Sequence, residues 1–411
     1  MLWRSPDFLK FWAGQSVSLV GSQFTLLALP LLAVLTLHAN ALQMGLLGAA
    51  QWLPSLLLGL VAGVWVDRSR RRPVLVSSQV LSLVALASLP VAARLGVLSI
   101  GQVYVASFLA GVAAVFSRVA QQAFVPALAG RENLVEANSK YQTSLTFAQL
   151  VGPGAAGAVV QAFGAAAAIA IDAISFLVGA VTAAWIRTPE PPPPRPVDRR
   201  LLAEALEGVS VTWRDLRLRS ILLAILFANF FGGVGQAVFA LLFVGRLGVT
   251  PAQLGVVFAS ASLASLAGAQ LAPRLSGRIG VGNLMALAAI LFSVAWTVPL
   301  AAAFVPRPLV FPTLVAGFLM VGLGLMAYNV NQQAIRMAVV PDHLLGRTSA
   351  AVIVIVAVGQ VAGPLLGGLI GQQLGLRWAY AVGTLGYLLI IPTAFVPQLR
   401  RVRTLASGGP V

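Results

Sequence analysis

Apolar runs of about 20 residues, each closed by a short polar or glycine-containing turn, recur along the whole chain. Six precede a charged, proline-containing stretch at 187–219, at roughly 12–37, 43–66, 74–93, 102–124, 142–163 and 166–186. Six follow it, at roughly 220–244, 253–273, 283–304, 311–335, 349–373 and 377–397. At about 1.5 Å of rise per residue each run is long enough to cross hydrocarbon as an α-helix. The pattern predicts an all-α polytopic membrane protein of twelve transmembrane helices. They divide into bundles of six at 1–190 and 220–411, joined by a linker at 191–219.

The two groups of six repeat one another. Gln121, Gln122 and Ala123 recur as Gln332, Gln333 and Ala334, and Gly152, Pro153 and Gly157 as Gly363, Pro364 and Gly368, all at an offset of 211. Residues 43–47 recur as 253–257, and Ser55 as Ser265, at an offset of 210. Two like halves in a membrane are the architecture of transporters, so the bundles are expected to be pseudo-symmetric. The Gly152–Pro153 step removes a backbone hydrogen bond and predicts a bend in the fifth helix. Gly359, Gly363, Gly367 and Gly371 lie four apart on one face of the eleventh. Such a face serves close packing, or the sliding of one helix on another.

Composition narrows the function. The chain is 59% hydrophobic and 9% charged, against about 25% charged in soluble domains. It has no cysteine, and its two histidines, His38 and His343, fall in predicted loops. Disulfide and thiol chemistry are excluded, no cofactor or metal is implied, and no clustered His or acid set suggests an enzyme. No Gly-x-x-x-x-Gly-Lys-Ser/Thr loop occurs, which disfavours ATP-driven transport.

The net charge of +16 does not imply nucleic acid. With the N-terminus inside, 23 of the 27 basic residues fall on the cytoplasmic side, leaving Arg94, Arg246, Arg307 and Arg377 outside. The positive-inside rule puts both termini in the cytoplasm, and the membrane is expected to be a bacterial inner membrane. The first apolar run is too long for a signal peptide and counts as a transmembrane helix. The prolines between 189 and 194 end the sixth helix, and residues 199–218 read either as an amphipathic interfacial helix or as a solvated linker helix.

One loop carries a specific pattern. Between the second and third helices stand Gly63, Val64, Trp65, Val66, Asp67, Arg68, Ser69, Arg70, Arg71, Arg72 and Pro73. A glycine permits close helix approach, and a single acid sits among four arginines at the membrane edge. This resembles the signature of the major facilitator superfamily, at the place where that family carries it. Ser5, Pro6, Asp7 and Phe8, residues 12–15, 134–139 and 340–342, and Gly346 with Arg347 extend the likeness over essentially the whole chain. Together they are similar to the branch containing the enterobactin exporter and macrolide efflux proteins. Gly152, Pro153 and Gly157 are also similar to the fifth-helix pattern of drug–proton antiporters, with Ala148 where that pattern has glycine. The fourth-helix arginine of those antiporters is missing before Gly111, and Arg118 comes seven residues after it.

The resemblance implies a conformational gate built from Gly63, Asp67, Arg68, Arg71 and Arg72, with the start of the eleventh helix at Arg347 as its partner. In the second half Gly277 and Arg278 stand where the first has Asp67 and Arg68, so that half lacks the acid. The family's fold implies rocking of the halves about a central site. Its lining is expected from uncharged polar residues: Gln15, Ser18, Ser22, Gln51, Trp52, Asn229, Gln236, Tyr328, Gln332 and Gln360. Each alone could simply bond neighbouring helices; together they suit a bulky amphipathic solute.

Of the 11 acids only Asp172 lies within an apolar run. It sits about 10 Å deep in a helix that is usually peripheral in this architecture. It serves either as the proton-coupling group or as a packing or snorkelling residue. The expected function is proton-coupled efflux of a small organic molecule by a monomer in contact with membrane lipid and with no nucleic acid. A uniporter of the same fold and a non-transporting membrane module stand as alternatives.

Overall fold

The computed structural model describes residues 2, 5–190, 210, 212–340 and 344–400, without the side chains of Arg131, Leu345, Arg347 and Arg400. Most of the expected interfacial helix at 199–218, Pro341 and Asp342, and the Arg347 side chain lie outside them. Among the described residues the chain is helical, and eleven helices are long and apolar enough to cross a membrane. The first six are α1 (Pro6–Leu35), α2 (Ala41–Asp67), α3 (Arg71–Arg94), α4 (Ile100–Ala129), α5 (Leu134–Phe163) and α6 (Ala165–Ala184). The second six are α7 (Leu216–Ala240), α8 (Pro251–Ile279), α9 (Val281–Ala295), α10 (Arg307–Val339), α11 (Leu345–Gln373) and α12 (Leu376–Gly386).

The helices begin where short polar side chains can take up free backbone N–H groups. Ser5 accepts from the Phe8 amide, Ser99 from that of Gln102, and Asp215 from those of Arg217 and Leu218. Turns between them close on glycine with positive φ. Gly164 (φ 82°) joins α5 to α6 and Gly375 (φ 99°) joins α11 to α12. Those two positions are 211 apart, so the repeat seen in the sequence is also a repeat of backbone conformation. A non-glycine residue would be strained at either.

Several expected boundaries change; among them, the ninth helix, expected over 283–304, is interrupted at Trp296 between Val281–Ala295 and Thr297–Ala301. The fifth helix, expected to start near 142, starts at Leu134, because only the short turn Arg131–Asn133 separates it from α4. The expected continuous twelfth helix at 377–397 is broken: α12 stops at Gly386, a 3₁₀ turn covers Tyr387–Leu389, and helix resumes over Ile390–Ala394. Gly386 weakens the helix, and Pro392 has no N–H to donate back to Leu388. Pro153 and Pro364, by contrast, lie inside continuous helices.

The chain forms two compact units. Unit 1 comprises Met1–Ala39, Ala50–Arg199 and Thr250–Gly255; unit 2 comprises Asn40–Ala49, Arg200–Val249 and Val256–Val411. In unit 1, α1 packs on α5 and α6, and α3 packs on α4 and α6. Gly152 lies against the Gln23 side chain of α1, and Gly157 against Pro251 and Gly255 at the start of α8.

In unit 2, α7 packs on α11 and α12, and α9 on α10. The four-residue glycine stripe of α11 is the seam with α7. Gly359 meets Asn229 and Phe230, Gly363 meets Phe230 and Gly233, Gly367 meets Val234, and Gly371 meets Val238. Pro364 and Gly368, on the adjoining face, meet the start of α2 at Ala41, Gly45 and Gly48. A Cβ placed on Gly367 would lie 2.8 Å from the Val234 Cα and closer still to its carbonyl oxygen.

Gly367→Val should therefore force α7 and α11 apart and destabilise the protein by about 1–3 kcal/mol, the usual cost of overpacking. Among the described residues nothing lies within 4 Å of a Cβ built on Gly63, inside α2, so Gly63→Ala should not destabilise the protein and should add up to about 1 kcal/mol through helix propensity. Thermal unfolding of the two variants in detergent checks the contrast.

Candidate functional site: a polar cavity holding a buried carboxylate

The helices of unit 1 surround a cavity of about 370 Å³ lined by both polar and apolar side chains. From α1 it receives Gln15, Ser18, Ser22 and Thr25, the polar stripe that the three- and four-residue spacing put on one face. Gln51 of α2 joins them, while Trp52 does not. The structure adds two walls that sequence reasoning passed over. α3 supplies Ser78, Gln79 and Ser82, and α6 supplies Asp172. Polar residues at 78, 79 and 82 were visible in the third apolar run; they were overlooked because that helix was not counted among those lining a cavity.

Asp172 is 1% exposed and turned into the bundle. Snorkelling towards the membrane surface is thereby corrected: α6 packs on α1 and α3, so its Asp172 face is interior. The Ser175 hydroxyl donates to Asp172 Oδ1 at 3.0 Å, and the Ser18 hydroxyl donates to the Ser175 carbonyl at 3.2 Å. The backbone of α1 passes directly over the carboxyl group. A Cβ on Gly21 would lie 2.7 Å from Asp172 Oδ1, so only glycine leaves it room there. At Gly111 an added Cβ would lie 2.8 Å from the Gln51 carbonyl oxygen, which brings α4 tight against α2.

Arg118 lines the same cavity. The charge count had placed it at the cytoplasmic rim. Instead it lies within α4, eleven residues before Ala129, or about 16 Å from that end along the axis. Among the described residues no acid lies within ion-pair distance of it, so Arg118 and Asp172 face one cavity without touching. A second cavity of about 650 Å³ lies between α1, α4 and α5. Gln15, Arg118, Gln121 and Tyr141 line both and form the partition between them.

The end of unit 1 that carries the N-terminus is stitched by acids that the sequence left in loops. Both carboxylate oxygens of Glu190 cap α3, accepting from the Arg71 amide at 2.6 Å and the Arg72 amide at 2.8 Å. The Arg72 guanidinium donates to the Ala184 carbonyl. Asp7 accepts from the backbone amides of Arg187 and Thr188 and pairs with Lys10 at 2.8 Å. Asp67, the last residue of α2, is exposed, as is Arg68.

The polar residues expected in the second half do not form one site within unit 2. Gln360 donates to Asn229 at 3.2 Å, and Asn229 donates to the Ile225 carbonyl at 2.8 Å. Tyr328 belongs to a core cluster with Met285, Phe292 and Tyr387. Gln332 is buried and Gln236 is exposed. Unit 2 is richer in aromatic contacts, with Trp296 stacked on Tyr387 at 4.9 Å.

The described residues thus set a cavity with polar lining among apolar helices long enough to cross a membrane. The chain belongs to the major facilitator superfamily, whose sequence profile matches residues 11–245 and 225–409. It is a multi-pass membrane transporter. It is 29% identical to the multidrug efflux pump Tap of Mycolicibacterium fortuitum over 97% of each chain. It is 24% identical to macrolide efflux protein A of Streptococcus pyogenes, over 96% of this chain and 97% of that one. Its fold matches a bacterial homologue of the iron transporter ferroportin in an inward-facing state, with a TM-score of 0.74 and 15% identity over 96% of this chain and 98% of that one. The nucleoside transporter NupG aligns with a TM-score of 0.69 at 13% identity over 95% of this chain and 97% of that one.

The chain has no native cysteine, so single cysteines report on the cavity directly. Gln121→Cys, in the partition, should react with a membrane-impermeant thiol reagent in inside-out vesicles. Ser293→Cys, at a position 0% exposed in α9, should stay unlabelled until the protein is unfolded. Equal labelling of the two would contradict a hydrated partition.

Proposed function

We propose that this protein exports a small amphipathic organic molecule from a bacterial cell across its inner membrane, exchanging it for protons by alternating access of the bundles at 1–190 and 220–411. The observation that carries the coupling is Asp172, a carboxyl group buried in a polar cavity beside α1. A carboxyl group so placed can bind and release a proton within the membrane, and it has no ion-pair partner among the described residues to hold it in one state. Full-length similarity to a multidrug efflux pump and a macrolide efflux protein supports export and the class of solute.

In this reading Gln15, Ser18, Ser22 and Gln51 offer hydrogen bonds to the solute, with Trp52, Asn229, Gln236, Tyr328, Gln332 and Gln360 as candidates from the rest of the chain. Gly152, Pro153, Gly157, Gly363, Pro364 and Gly368 belong to the scaffold that moves. Asp67, with Gly63, Arg68, Arg71, Arg72 and Arg347, stabilises closure on the cytoplasmic side, where both termini lie. The protein works as a monomer.

Reconstituted into vesicles with a panel of macrolides and other amphipathic drugs, the protein should move at least one against its gradient when a pH gradient is imposed. Asp172→Asn should cut that gradient-driven flux by about tenfold or more, equivalent to about 1.4 kcal/mol. Asp172→Glu should restore part of it. Counterflow exchange at equal pH should survive in Asp172→Asn. Gradient-driven flux that persists in Asp172→Asn would remove Asp172 from the coupling step, and flux indifferent to pH in the unaltered protein would leave a uniporter.

Asp67→Asn tests the gate separately. It should slow turnover severalfold in every mode, counterflow included, without changing the pH dependence. Unchanged rates in every mode would show that Asp67 has no part in closure.

A further inference from the structure

We propose that one end of unit 2 binds the phosphate headgroup of an anionic phospholipid, in a cavity lined by Arg246, Arg307 and Arg377. These are three of only four basic residues that the charge pattern leaves on that side of the membrane, and they converge on a single cavity of about 770 Å³. Scattered topology residues would have no reason to gather.

Among the described residues no acid pairs with any of the three. From residue 216 to the end of the chain the only acid is Asp342. It follows the far end of α10, whose last residue Val339 lies about 48 Å from Arg307 along the helix axis. The local backbone makes the charge worse. Arg307 is the first residue of α10 and Arg377 the second of α12. The helix dipole disfavours a cation at such positions. Neither N-terminus has a side-chain cap or an acid in its first turn, so no side chain of either helix start offsets the charge. Arg246 alone sits in the last turn of its helix, where a cation is favoured.

An anion offering several acceptor oxygens relieves all of this at once, through charge-assisted hydrogen bonds to arginine and to the helix N-termini. The surroundings select a lipid over a free ion. Leu374 and Trp378, both 66% exposed, lie on the cavity wall, and the Arg377 guanidinium rests 5.4 Å over the ring of Phe304, itself 64% exposed. Arginine beside an exposed tryptophan and apolar side chains is what the headgroup level of a bilayer accepts, with acyl chains against the apolar part.

The test uses the full-length protein, delipidated in detergent and titrated with brominated phosphatidylglycerol or brominated phosphatidylcholine. The readout is quenching of the fluorescence that Trp378→Phe removes. Phosphatidylglycerol should quench at lower concentration than phosphatidylcholine. The preference should fall by about fivefold for each of R246Q, R307Q and R377Q, from about 1 kcal/mol per arginine near an anionic surface. Arg94→Gln, the fourth residue of the set and outside unit 2, should change nothing. Reading the single variants keeps the test sound if the triple variant does not fold. Equal quenching by the two lipids, or a preference that survives R307Q and R377Q, would overturn the proposal. So would inorganic phosphate that abolishes the preference at concentrations matching the lipid, since the site would then be one for a free anion.

Discussion

Helices in hydrocarbon gain little by hiding leucine from lipid tails that are equally apolar, so their association depends on how closely their backbones approach. Several of the largest crossings among the described residues obey that constraint. Gly359, Gly363, Gly367 and Gly371 carry α11 down the length of α7, and Gly383 of α12 sets its backbone against Gly235 from the other side. In the same unit Gly322 of α10 rests on Ala261 of α8, and Gly268 of α8 rests on Leu323. Some large side chains face outward: Val84, Leu57 and Ile174 are well exposed, as befits faces meant for lipid rather than for a neighbour.

Close backbones leave few places for polar side chains, and most of those present bond across a seam. Ser16 pairs with Ser144 at 2.8 Å and joins α1 to α5, while Gln360 and Asn229 join α11 to α7. The α1 stripe is the exception. Ser18 reaches the Ser175 carbonyl of α6, but Gln15 and Ser22 run on around a space instead of closing it. Glycine makes the space possible. Gly21 lets α1 pass over the carboxyl group, and Gly179 lets Ser18 and Gln79 approach α6.

The fold was legible because its signals are long and redundant: twelve apolar runs, a repeat at a near-constant offset, and an asymmetric charge distribution. The break in α12 was not, since Gly386 and Pro392 are six residues apart within an otherwise apolar stretch, and other helices of this chain run through their prolines. The site was half legible. Spacing placed Gln15, Ser18 and Ser22 on one face, but which face of α3 or α6 turns inward is decided by tertiary packing. Asp172 could therefore be picked out as the one acid in an apolar run without its direction being known. Arg118 was misplaced for a related reason: α4 continues to Ala129, beyond the apolar stretch that ends near 124, so the arginine lies deeper than a hydropathy boundary suggests. Glu190 looked like linker until the end of α6 brought it to the N-terminus of α3.

The halves share a scaffold but not a charge distribution, and the difference bears on how a proposed exchange would work. Unit 1 places one carboxyl group and one guanidinium group on a single cavity, whereas among its described residues unit 2 has no carboxyl group in a membrane span. With Asp172 ionised, the fixed charges of the cavity sum to zero, and an amphipathic solute with a basic nitrogen can enter without facing net repulsion. With a proton on Asp172, Arg118 is left alone and the same solute meets a net positive charge in a low-dielectric space, where Coulomb terms are larger than in water. Proton and cationic solute would then disfavour each other without competing for the same atoms. That mutual exclusion is what an exchanger requires, and here it would need only two charged residues, both in the same half of the molecule.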